Sequence, residues 1–171
     1  MRYVALWRGI NVGKAKRLAM ADLKALLAEL GATNVTTLLN SGNAVFDMKK
    51  KLGADRIRAA VLDKLGVDAA VILKTSAEWA AIASVQPVPE ADDPSRLLVA
   101  ITADAGSLQS AADIVAGSGE RFVVTADAAW LWCGCGILES KAAVALLKQL
   151  GERGTTRNWA TVQKLNTLAQ A

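Results

Sequence analysis

Apolar residues recur along this chain in two alternating rhythms. Residues 2–8 (RYVALWR) are apolar on both faces, as suits a strand in the middle of a sheet. Leu23, Leu26, Leu27 and Leu30 then fall at i, i+3, i+4, i+7, the spacing of one helical stripe. They predict a helix over 20–30, with Asp22 in its first turn and Gly31 just past its end. Strands are predicted at 34–39 and 44–48, around the hairpin-like turn NSGN (40–43). A second helix over 54–65 turns Ile57, Val61, Leu62 and Leu65 inward and stops at Gly66. A strand at 69–74 and a short helix at 76–84 follow.

Residues 85–95 (VQPVPEADDPS) hold all three prolines and read as a linker. Beyond it the pattern predicts a strand at 96–102, a helix at 107–116, strands at 121–125 and 129–133, and helices at 138–150 and 158–169. No convincing strand precedes the last helix. The first half has the β-α-β-β-α-β order of the ferredoxin-like plan. The second repeats five of those elements, although the residues of the halves are not visibly similar. The expected fold is therefore α+β. Two duplicated ferredoxin-like (βαββαβ) halves, 1–84 and 96–171, make a single domain, the second carrying an extra C-terminal helix. A half of about 80 residues buries only a marginal core, so the halves are expected to pack as one compact unit.

Composition narrows the setting. With 53% hydrophobic and 21% charged residues the chain is globular. No apolar run approaches the roughly 18 residues of a membrane span, so no membrane partner is expected. No secretion signal is expected, because the ordered pattern is entered at Arg2, and Cys133 and Cys135 lie too close together to staple a domain. They read as reduced thiols, and a cytoplasmic location is expected. Histidine is absent, which excludes Ser-His-Asp and Cys-His nucleophiles and HExxH zinc sites. Cys-Gly-Cys alone cannot complete a tetrahedral zinc site, so no metal is expected. Charge is uneven: residues 1–86 hold 13 Lys/Arg against 7 Asp/Glu (+6), and residues 87–171 hold 7 against 9 (−2), giving the net +4. The basic half points to an anionic partner.

GINVGKA (9–15) invites comparison with a P-loop, but it has three residues rather than four between its glycines. Ala15 also stands where magnesium needs a hydroxyl. The dinucleotide fingerprint G-x-G-x-x-G is absent as well, and no cofactor is expected. What remains is a loop after a central strand, with flexible Gly9 and Gly13, Asn11, and the cations Arg8, Lys14, Lys16 and Arg17. Exposed amides and cations suit an anion site. The competing reading is an ordinary βα connection with solvated charges.

YVALWRGINVG (3–13), LNSGNAVF (39–46) and TTRNWATVQKL (155–165) together resemble domain-of-unknown-function family 1697. That family's pattern runs ALLRGINVGG, QSGNVVF, GIGxSKL and TxRNWNTVxKL, so the likeness spans nearly the whole chain. This sequence departs from it at Trp7, Lys14, Asn40 and Ala160, and CGILESKAAV (135–144) is a loose copy of the third segment. The resemblance implies a duplicated ferredoxin-like α/β fold and no established activity.

Other candidates each have two readings. Ser41 and Asn43 flank Gly42 at the hairpin tip, as turn formers or as a polar tip reaching the pocket of the opening loop. As a nucleophile Ser41 would need a lysine or carboxylate base. Ser140 and Lys141 are adjacent on a helix and do not face each other. Arg157 and Asn158 stand at the predicted start of the last helix, where Thr156 or Asn158 can serve as N-cap. A cation there opposes the helix dipole unless an anion joins it. Trp130 and Trp132 point to one face of a strand, as core or as a platform for bases. Phe46 is the only aromatic of SGNAVFDM (41–48), so an RNA-recognition signature is missing.

The expected function is binding of an anionic small molecule, a nucleotide or phosphorylated metabolite. Its ligand set would be Arg8, Gly9, Asn11, Gly13 and Lys14 with Ser41, Asn43, Arg157 and Asn158. A single-stranded nucleic-acid module is the second choice, and a protein-interaction domain without ligand the third. No reaction and no oligomeric state follow from the sequence.

Overall fold

The computed structural model describes every residue, Met1–Ala171. The fold is α+β, with two four-stranded antiparallel sheets and six α-helices. The chain divides into two compact units, Met1–Trp79 with Leu165–Ala171, and Ala80–Lys164. No helix is long and apolar enough to cross a membrane.

The first unit runs β1 (Arg2–Trp7), α1 (Met20–Glu29), β2 (Thr33–Thr37), β3 (Asn43–Asp47), α2 (Ala54–Leu65) and β4 (Val71–Thr75), then enters α3 (Ser76–Ala83). The strand order is β2-β3-β1-β4, so β1 is central. Its two-faced apolar pattern follows from that place. Tyr3, Ala5 and Trp7 share a core with Leu23, Leu26 and Leu27 of α1 and Ile57 and Val61 of α2, while Val4 and Leu6 on the opposite face are buried too. Leu62 departs from expectation: it is 48% exposed, off the stripe that Ile57 and Val61 define. Gly66 ends α2 in the left-handed region (φ 71°), its N–H donating to Leu62 O. The last residues of the chain join this unit. Arg2 donates through Nε and Nη2 to Leu168 O at 3.2 and 2.9 Å, and Gln170 Nε2 donates to Ser76 O at 3.1 Å.

The second unit holds β5 (Leu97–Thr102), α4 (Ala105–Gln109), β6 (Glu120–Val124), β7 (Ala129–Cys133), α5 (Lys141–Leu150), β8 (Gly154–Asn158) and the start of α6 (Trp159–Gln170). Its strand order is β6-β7-β5-β8, so β5 occupies the place that β1 has in the other sheet. Leu98 and Ala100 of β5, Leu131 and Cys133 of β7, and Leu146 and Leu150 of α5 share its core.

Three expectations are corrected here. A strand does precede the last helix. GTTRN carries no apolar alternation to announce β8, yet it pairs antiparallel with β5 from Leu98↔Asn158 to Thr102↔Gly154. Gly154 permits the close approach, since a Cβ there would lie 3.1 Å from Ile101 O and 3.2 Å from Leu150 Cβ. The helix expected over 107–116 is only Ala105–Gln109, capped by Asp104, whose Oδ1 accepts from Ser107 N at 2.7 Å. Past it the bonds from Ala111 N to Leu108 O and from Ala112 N to Gln109 O reach back three residues, and the chain tightens out of the α form. The helix expected over 138–150 is split, because Ser140 Oγ accepts from Ala143 N at 3.0 Å and starts α5 at Lys141.

Candidate anion-binding site

The opening loop leaves β1 with Arg8 half-buried and its N–H bonded to Ala70 O at 2.9 Å. Over the next residues φ alternates in sign: Gly9 at 68°, Asn11 at 55° and Gly13 at 62°, with Ile10 and Val12 negative between them. Anion-binding concavities of backbone N–H groups are built from alternating right- and left-handed backbone of this general kind. Asn11 closes the loop. Its N–H donates to Lys16 O at 3.0 Å, its Oδ1 accepts from Leu18 N at 2.8 Å, and its Nδ2 donates to Leu18 O at 2.8 Å. The same Nδ2 donates to Asn40 O at 2.7 Å, tying the loop to the turn between β2 and β3.

That turn is held as firmly. Asn43, fully buried, donates through Nδ2 to Leu38 O at 2.7 Å and to Ser41 Oγ at 3.1 Å. An amide donor positions the Ser41 hydroxyl and cannot act as its base. Trp7 N donates to Gly42 O at 2.9 Å. Gly42 has φ 90°, and a Cβ there would sit 2.6 Å from Ile10 Cδ1 and 2.9 Å from Trp7 Cβ. The opening loop and the SGN turn are thus packed against each other.

Asn11, Arg17, Leu18, Ala19 and Asn40 line a hollow of ≈ 340 Å³. Ala19 is also the N-cap of α1 and supplies no side-chain acceptor to its first turn. The N–H groups of Val12, Gly13 and Lys14 donate to no group of the protein. Lys14, Lys16 and Arg17 are exposed. Neither Lys14 nor Arg17 has a carboxylate within ion-pair distance. Lys16 adds to the field at Asp68, whose carboxyl is held below its usual range chiefly by the hydrogen bond from Arg58. The first unit carries 13 Lys/Arg against 7 Asp/Glu, because Leu165–Ala171 adds no charge. Sequence reasoning missed the lining role of Leu18, Ala19 and Asn40. One signal was present, since the α1 pattern opens on Ala19, a residue that cannot cap.

Arg157 and Asn158 lie in the second unit. Arg157 belongs to β8 rather than to a helix start, so the argument from the helix dipole does not apply to it. It is 9% exposed, and its Nη1 donates to Thr155 Oγ1 at 3.1 Å and to Thr156 O at 2.8 Å. Burial pulls its pKa down to about 10, which leaves it charged at neutral pH. Asn158 caps α6, its Oδ1 accepting from Thr161 N at 2.9 Å. Trp130 is buried, meets Trp159 edge-on at 5.2 Å and donates through Nε1 to Thr125 Oγ1 at 3.2 Å, so it offers no face to a base. Trp132 is half-buried. Cys133 is buried, and burial pushes its thiol up to about 11, whereas Cys135 is exposed. No group of three or more His, Cys, Asp or Glu side chains is placed to hold a metal ion.

Among solved structures the chain is similar to the conserved bacterial protein SP0830 from Streptococcus pneumoniae. The TM-score is 0.72 at 18% identity, over 98% of both chains. At that identity the likeness concerns the fold. No curated protein matches the chain. The sequence profile of the family described as protein of unknown function (DUF1697) matches residues 1–130, which include the opening loop and the SGN turn and stop short of β8. The chain therefore belongs to the DUF1697 family.

Proposed function

We propose that the protein binds an anionic small molecule, a nucleotide or phosphorylated metabolite, on its first unit between the RGINVGK loop and the SGN turn. The observation that carries this reading is the opening loop, where three unpartnered N–H groups at Val12, Gly13 and Lys14 stand beside exposed Lys14 and Arg17. Backbone amides and unpaired cations together favour phosphate oxygens. The start of α1, without a side-chain cap, adds the positive end of a helix dipole. Asn11 and Asn43 act by holding the two loops rather than by touching the ligand, because their amides are engaged within the protein. Arg157 and Asn158 are engaged in β8 and α6, and the contact set does not include them.

Each unit is read as a ferredoxin-like half of a duplication, supported by the common order of elements and by the matching orders β2-β3-β1-β4 and β6-β7-β5-β8. Two free thiols support a cytoplasmic location.

The test is a thermal-shift series with orthophosphate, pyrophosphate, nucleotides and an oligonucleotide, each at low and high salt. A nucleotide or phosphorylated metabolite at 100 times its Kd stabilises by about 2.7 kcal/mol, a rise of roughly 5–10 °C for a chain of this size. Lys14→Ala with Arg17→Ala removes the shift and leaves the unliganded melting point unchanged. Absence of any shift overturns the reading. A response confined to the oligonucleotide, falling steeply with salt, favours the nucleic-acid alternative.

A further inference from the structure

The two cysteines of the second unit belong to one tight turn. β7 closes on Cys133, and Gly136 N donates back to Cys133 O at 2.8 Å, so Gly134 and Cys135 form the middle of the turn. Such a turn sets the Cα atoms of its first and third residues about 5–6 Å apart, inside the range that a disulfide spans. Position 134 has no room for a side chain, because a Cβ there would lie 2.5 Å from Gly119 O. The segment leading into β6 is thus pressed against the turn. Glu120, the first residue of β6, is the register partner of Cys133, which puts both side chains on one face of the sheet. The Cys133 thiol is fully buried and lies against the side chains of Ser140 and Glu120. Glu120 and Ser140 also line a hollow of ≈ 270 Å³, together with Lys141 and the exposed Cys135. Both thiols therefore border the same two side chains, Cys133 from the core and Cys135 from the hollow. All of these residues lie within Ala80–Lys164, and the anion site proposed above uses none of them.

We propose that Cys133-Gly134-Cys135 is a dithiol redox site whose co-substrate is a low-molecular-weight disulfide admitted to this hollow. Cys135, the accessible thiol, attacks one sulfur of the incoming disulfide. A sulfur–sulfur bond forms to Cys135, the bond within the small disulfide breaks, and the departing half takes up the Cys135 proton as a free thiol. Cys133 then attacks the Cys135 sulfur. The Cys133–Cys135 bond forms, the mixed disulfide breaks, and the second half leaves as a thiol carrying the Cys133 proton. Two protein thiols are oxidised and one small disulfide is reduced to two thiols, so the exchange balances without a further oxidant. Burial keeps outside reagents from Cys133, but it does not part Cys133 from a sulfur two residues away that borders the same Glu120 and Ser140.

The test incubates the reduced full chain with glutathione disulfide under native conditions, quenches with acid, and reads intact mass and peptide maps. The forms compared are the parent, Cys133→Ala and Cys135→Ala. In the parent a glutathione adduct on Cys135 appears first. It gives way to a protein lighter by its thiol hydrogens, with both cysteines linked in one peptide, at a rate independent of protein concentration. In Cys133→Ala the adduct outlasts that of the parent by about tenfold or more, because only thiol from bulk solution is left to remove it. Cys135→Ala takes up no glutathione while folded. A parent that keeps its adduct as long as Cys133→Ala does, a Cys135→Ala protein that reacts as fast as the parent, or a parent that never reacts overturns the proposal. Should Cys133→Ala fail to fold, the parent alone decides: an adduct that persists, with the intramolecular link forming only in denaturant, overturns it equally.

Discussion

Replacing Asn11 by alanine isolates the contact on which the candidate site is built. The side chain makes three hydrogen bonds, two from Nδ2 and one to Oδ1, all between 2.7 and 2.8 Å. Asn11 is half-buried, so water recovers part of what is lost; at the low end of the net value per bond, three bonds contribute about 1.5–2 kcal/mol. Alanine at a φ of 55° adds about 1 kcal/mol of backbone cost that asparagine largely escapes. The sum is about 2.5–3 kcal/mol, a fall in melting temperature of roughly 5–12 °C for a chain of this length. Circular-dichroism melts, with urea midpoints as a second measure, give the value. Asn11→Gly loses the same bonds without the backbone cost and should be about 1 kcal/mol milder. Asn11→Asp keeps the acceptor for Leu18 N but sets a carboxylate against Leu18 O and Asn40 O, and should also destabilise. An Asn11→Ala protein melting within about 1 °C of the parent refutes the bookkeeping of bonds. Glycine no milder than alanine refutes the backbone part.

Other expectations follow from the same fold. Gly42→Ala drives a Cβ to 2.6 Å from Ile10 Cδ1 at a φ of 90°, and should destabilise by about 2 kcal/mol or more in a thermal melt; a loss under about 0.5 kcal/mol counts against the tight turn. The Asp104 carboxyl is lowered from its ordinary 3.8 to about 2, first by the Ser107 N–H and then by the Arg153 guanidinium. Because the folded value is depressed, its stabilising effect is complete above 3.8 and is lost as pH falls toward about 2. A carboxyl NMR titration with its midpoint near 3.8 would rule this out. Cys135 should be alkylated at neutral pH in the folded protein and Cys133 only after unfolding, as peptide mass spectrometry can report; comparable rates would contradict the burial of Cys133.

What was legible in the sequence was whatever its periodicity encodes. The run at 54–65 and the strand at 129–133 stand where their apolar spacing puts them, and β1 is central as its two-faced pattern requires. β8 was hidden because its residues are polar, although Gly154, Thr155 and Arg157 are all buried in the folded chain. Its existence depends on β5 supplying a partner, a long-range condition that no local window contains. The site was legible in part. The opening loop and the SGN turn read as polar segments at element ends, and the fold packs them together. The job of Asn11 was not legible, because its partners Leu18 and Asn40 lie 7 and 29 residues away and only the folded loop brings them to its amide. The setting of Arg157 was hidden for the same reason as β8, being fixed by a strand that the pattern does not announce.

The bonds from Arg2 to Leu168 O give the protein an order of assembly during synthesis. Ribosomes deliver Ala80–Lys164 whole before any of Leu165–Ala171 exists, yet the first unit includes that late segment. A nascent chain halted just before Leu165 holds every residue of the second unit and leaves the Arg2 guanidinium without its carbonyl. The unit made first is therefore the last to be completed, and the loop that would meet an anion belongs to it.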